Sequence, residues 1–131
     1  MSSASAAGGV VRGALARLAK EPGVTVGPLG DAGWAEVVRG GVRVRVNVLA
    51  AEDVLLVLAA LAPVPVGAGE AWFRRLLERS FLQTGDAAFA IDRESDWVYL
   101  RAMRRLTGVR EGDVVDLVLA TLAAAERVMP I

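Results

Sequence analysis

EAWFRRLLERSFLQTGDAAFAIDRESDWVYL, residues 70–100, carries two periodicities back to back. In residues 72–82 the bulky side chains fall at Trp72, Phe73, Leu76, Leu77, Phe81 and Leu82, a spacing that lays one apolar stripe along a helix. After Thr84 and Gly85 the pattern tightens. Phe89 and Ile91 precede, and Trp97 to Leu100 follow, the polar cluster Asp92, Arg93, Glu94, Ser95 and Asp96. Two short apolar runs around such turn-formers predict a β-hairpin. The centre of the chain is therefore a helix feeding a hairpin. It holds every Phe, Trp and Tyr of the protein except Trp34.

The rest of the chain extends this pattern on both sides. Residues 1–8 are small and are expected to be disordered, leaving 9–131 as one domain. A first helix is predicted over about 9–20, with Val10, Val11, Ala14, Leu15 and Leu18 on one face and Pro22-Gly23 as its stop. Residues 24–33 hold three Gly and a Pro and are read as a connection, although Val24 to Val26 could start a strand. Strands are expected at 34–39 and 42–49, joined by Gly40-Gly41. The second alternates Val42, Val44, Val46 and Val48 with Arg43, Arg45 and Asn47, which gives one dry and one wet face.

Residues 54–61 are apolar at every position, so periodicity is silent. A third strand is expected, because Pro63 and Pro65 end the run early and a meander is the simplest continuation. One face of such a strand then needs a cover from a helix of this chain or from a second subunit. The central helix at 69–83 and hairpin strands at 86–91 and 97–103 follow. A last helix spans 111–128, with Glu111, Asp113 and Asp116 near its start and Arg127 near its end, as the helix dipole favours. The order predicts a single α+β domain: helix, three strands, helix, two strands, helix, on a five-stranded antiparallel sheet.

Composition excludes several chemistries. With no Cys and no His, disulfides, thiolate or imidazole metal sites and Ser-His-Asp catalysis are all ruled out. Fifteen basic and fifteen acidic residues cancel, which argues against general binding to nucleic acid or to an anionic membrane. Hydrophobic content of 54% with only 5% aromatics means abundant Ala, Val and Leu, hence a fully covered sheet or a surface left for a partner. The start lacks the basic and apolar segments of a signal peptide, so a cytoplasmic protein is expected. No cofactor is expected, since the glycines at 8–9, 27–33 and 40–41 fit neither a phosphate loop nor a dinucleotide fingerprint.

Three segments resemble a known family. LLERSF at 76–81 is similar to the helix end, FAIDRESDWVYL at 89–100 to the hairpin, and RRLTGVREGDVVDLVLATLAAAERV at 104–128 to the last helix, of the type III secretion chaperone family (Tir chaperone, CesT) and the related YbjN proteins. Ser80 stands where that family often has Asn. The zero net charge differs from the acidic secretion chaperones and points to the YbjN-like branch. The resemblance implies a non-catalytic homodimer that binds segments of other proteins, with a role connected to stress on the YbjN side.

Candidate interface residues follow: Trp72, Phe73 and Leu76 on the central helix, and Val54, Leu56 and Leu58 on the apolar strand. The plainer reading places Phe73 in the core beside Leu76 and Leu77, and leaves Trp72 open between core and interface. Arg101, Arg104 and Arg105, with Arg74, Arg75, Arg79 and Arg110, could form a basic patch, although a solvated face balanced by Glu70, Glu78 and Asp113 is the simpler account. Asp92, Glu94 and Asp96 suit a turn better than a calcium loop, for which the glycine and distal Glu are missing. Two other functions stay in view: a small-ligand or carboxylate-based enzyme module, which needs a deep pocket, and an accessory factor for nucleic acid using the Arg104, Arg105 and Arg110 region.

Overall fold

The structure, a computed structural model, describes residues 3–80 and 83–131. Helix α1 (Ser3–Leu18) is followed by strands β1 (Val24–Val26), β2 (Trp34–Arg39), β3 (Val42–Leu49) and β4 (Val54–Pro63). Helix α2 (Glu70–Ser80), strands β5 (Ala88–Asp92) and β6 (Trp97–Arg105) and helix α3 (Glu111–Val128) complete the chain. All neighbouring strands are antiparallel, in the order β1-β2-β3-β4-β6-β5. β6 therefore returns between β4 and β5, and β4 lies in the interior of the sheet.

The α+β class and the order of elements agree with the sequence, but the sheet has six strands and not five. The extra strand is β1. Val24 and Val26 lie opposite Arg39 and Val37 and pack against the core, so this short segment adds an edge to β2. α1 begins at Ser3, earlier than the expected residue 9. Alanine, the best helix former, recurs at 4, 6 and 7, and Ala7 is buried. Of the expected disordered segment, residues 1 and 2 lie outside the described residues, as do Phe81 and Leu82 of the expected central helix.

α1 and α3 pack on each other and on one face of the sheet. Val11, Ala14, Leu15 and Leu18 recur at helical spacing and are buried. Val114, Val118, Leu122 and Ala125 do the same from α3. Against them stand Val44 and Val46 of β3, Leu55, Val57 and Ala59 of β4, and Leu100 and Ala102 of β6. Arg39 of β2 ties the sheet to α3 through Glu126 at 2.7 Å. At the other end, the Asp53 carboxylate accepts hydrogen bonds from the Thr107 amide (3.0 Å) and hydroxyl (2.9 Å), joining the β3–β4 turn to the loop before α3.

β4 resolves the silence of its own sequence. Every residue from Val54 to Ala62 is apolar, yet burial alternates strictly along the strand. Leu55, Val57, Ala59 and Leu61 are covered by the helices, while Leu56, Leu58 and Ala60 face the other way and are partly exposed. Among the described residues, no helix covers that second face.

Candidate protein-binding surfaces

Among the described residues, two apolar surfaces stand out once the core is closed. The first is on α2. Its first turn carries Glu70 and its last turn Arg79, both favourable to the dipole. Trp72 and Leu76, one turn apart, point inward; Leu76 is 4% exposed and Trp72 packs against the core. Phe73 and Leu77, rotated about 100° on the same helix, line an open depression with Glu70, Arg74 and Glu78. Leu77 is 68% exposed. The Phe73 ring meets Trp72 edge-on at 5.0 Å between centroids, so the inward ring props the outward one.

This placement corrects the helix reading in two respects. Leu76 is consumed by the core of its own chain and is unavailable to a partner. Phe73 faces the depression and Trp72 the core, where the simple reading had buried Phe73. Leu77, four residues after Phe73, is the exposed residue that sequence reasoning passed over. α2 packs against β5, and Arg79 donates to the Val128 carbonyl at the end of α3 and to Gln83 Oε1 at 3.1 Å. That contact supplies a donor to one of the orphan carbonyls of a helix C-terminus.

The second surface is the uncovered face of the sheet. The register places Trp34, Asn47, Leu56 and Met103 in one cross-strand row. The next row is Glu36, Arg45, Leu58, Arg101 and Ala88. Met103 is 55% exposed and Trp34 40%. Val54, Leu56 and Leu58 all lie on this face. The Arg45 guanidinium stands over the Trp34 ring, 4.1 Å from its centroid.

The three arginines of β6 do not form one patch. Arg104 points to the helix side and pairs with Asp113 at 3.4 Å. Arg105 points to the open side and pairs with Asp53 at 3.6 Å. Arg101 shares the open side with Leu58. Arg110 starts α3, its amide donating to Asp113 Oδ2 at 2.9 Å.

The acidic cluster at 92–96 is a turn. Asp92 Oδ1 accepts from the Glu94 amide at 3.1 Å and Oδ2 from the Ser95 hydroxyl at 2.7 Å. The Ser95 hydroxyl, followed by the Glu94 amide, holds the Asp92 carboxyl below its ordinary value of 3.8. Asp96 follows with a φ of +59°, the left-handed conformation that Asp tolerates better than most residues.

No family model matches the chain, and no curated protein does. Solved structures do. The chain in the ExsC-ExsE complex is 22% identical, with a TM-score of 0.73 over 100% of this chain and 96% of that one. The HopA1-SchA chaperone-effector complex is 11% identical, with a TM-score of 0.65 over 90% and 88%. The type III secretion chaperone SycH of Yersinia pestis, in complex with a stable fragment of YscM2, is 14% identical, with a TM-score of 0.60 over 88% and 97%. The chain has a type III secretion chaperone-like fold, from its first helix to its last. At these identities the likeness is one of fold.

Proposed function

We propose that this protein is a non-enzymatic, homodimeric, chaperone-like protein that binds segments of other proteins in the cytoplasm. The observation that carries the proposal is the interior strand β4, whose Leu56 and Leu58 face a side of the sheet that no described helix covers. Two of the fold neighbours above are chaperones in complex with protein clients or fragments, which supports a protein as the occupant. α2 supplies the second requirement. Its exposed Leu77 beside Phe73 offers an apolar surface to the same surface of a second copy, as in an isologous dimer. In this scheme α2 joins two copies and the open sheet faces receive clients. The balanced charge favours a stress-connected, YbjN-like role as a second reading, against the acidic character of the secretion chaperones.

Light scattering and co-expression test both halves. The wild type is expected at twice the 13.7 kDa of one chain, and Leu77→Glu at the monomer mass with its circular dichroism retained. Co-expression with proteins encoded beside it is expected to yield a complex that survives gel filtration and is lost in Leu58→Gln. A stable monomer that captures none of them overturns the proposal.

A further inference from the structure

We propose that the open face of the sheet receives an acidic amphipathic segment, one that presents carboxylates on both sides of an apolar side chain. This rests on the client-binding reading above and names the chemistry of the client. In the row through Leu58, Arg45 of β3 and Arg101 of β6 stand directly opposite it on either side. With strands about 4.8 Å apart, the two backbones are separated by about 10 Å, close to the width of a helix with its side chains. The neighbouring row places Arg43 opposite Ala60, with Tyr99 beyond it. Arg43, Arg45, Leu58, Ala60 and Tyr99, with Glu36, line a depression of about 210 Å³.

The charge there is not balanced. Glu36 is the one carboxylate among these lining residues, and it is taken by Arg43 at 2.8 Å. Among the described residues, no carboxylate lies within ion-pairing distance of Arg45 or Arg101. Arg45 is also held in place. Its guanidinium lies over Trp34, an arrangement that fixes the plane without using its N–H groups. A planar fork held this way is prepared for bidentate contact with a carboxylate. Since the whole chain is neutral, the surplus marks this face and not the protein. An apolar strip with cations on both flanks is complementary to an apolar stripe with anions on both flanks.

The probes are two fluorescein-labelled amphipathic helical peptides with the same leucine stripe, one flanked by glutamates and the other by lysines. Fluorescence anisotropy is measured against the full chain at low and raised salt. The glutamate peptide is expected to bind the wild type at least about tenfold more tightly than its lysine twin, with the difference shrinking in salt. Arg45→Gln with Arg101→Gln removes the preference, and Arg45→Glu with Arg101→Glu inverts it. Circular dichroism confirms that both variants fold, and the inversion is a result that loss of structure cannot produce. Equal affinity for the two peptides, no binding of either, or a preference that survives the charge reversal overturns the inference. A wild type that forms its co-expression complex without preferring either peptide keeps the proposed function and loses this inference. A clear preference with no complex does the reverse.

Discussion

Leu55 and Leu58 are the same residue on the same strand, three positions apart, yet they face opposite sides of the sheet. Glutamine at each position gives losses of very different size. Leu55 has no exposed surface. Leu55→Gln loses about 2 kcal/mol of side-chain burial and leaves a buried amide without partners, which costs about 2 kcal/mol more. The loss of about 4 kcal/mol is a large part of the 5–15 kcal/mol typical of a domain. Leu58→Gln can keep its methylene stem on Leu56 and Ala60 while the amide reaches water, so about 1 kcal/mol is expected. Urea unfolding reads the difference. With a slope of about 2 kcal/mol per molar, the midpoint falls by about 2 M for Leu55→Gln and about 0.5 M for Leu58→Gln. Protein concentration is varied, because a dimer is stabilised by mass action. Equal losses at the lowest concentration would mean that the single chain covers both faces of β4, and the reasoning would be refuted.

Gly9→Ala in α1 meets open space and is expected to stabilise the fold by about 0.5–1 kcal/mol through helix propensity; no gain in the unfolding midpoint would place the helix start after residue 9. Arg79→Ala frees the Val128 carbonyl and loosens α2 from α3, at a cost of about 1–2 kcal/mol; amide exchange in α2 should rise before that of the sheet. Ser95→Ala removes the largest cause of the lowered Asp92 pKa, so carbon-detected NMR titration should show Asp92 moving up toward 3.8. Because the folded-state pKa is depressed, the stability it confers is present above the unfolded value and is lost as pH falls through the folded one. An unmoved Asp92 in Ser95→Ala would contradict the turn geometry.

The alternation of Val42, Val44, Val46 and Val48 with Arg43, Arg45 and Asn47 made β3 legible, because one face is dry and the other wet. β4 was legible as a strand only by its length and its prolines. Its outward residues are as apolar as its inward ones, so the pattern could not say which face the helices cover. β1 reads as part of a connection, with a strand at Val24 to Val26 left open, because three residues among Gly and Pro carry no period and its edge is made by pairing with β2. The α2 stripe was visible, but Trp72 and Phe73 are adjacent, and which of them turns inward depends on where β5 and α3 hold the helix. The sequence allows the three β6 arginines to form one patch, although a solvated face is the simpler account. The pleat separates them, sending Arg104 to Asp113 and Arg105 to Asp53. Arg45 and Arg101 are 56 positions apart, and no local pattern could show that they flank Leu58.

Site-specific photocrosslinking tests most directly whether another polypeptide completes the open face of the sheet. A photoreactive residue replaces Leu58 in the full chain, and in a control it replaces Lys20, exposed just beyond the end of α1. Irradiation of cells that express the protein with those encoded beside it should yield a defined crosslinked polypeptide from position 58 and none from position 20. Crosslinking from neither position, or equally from both, would contradict the account.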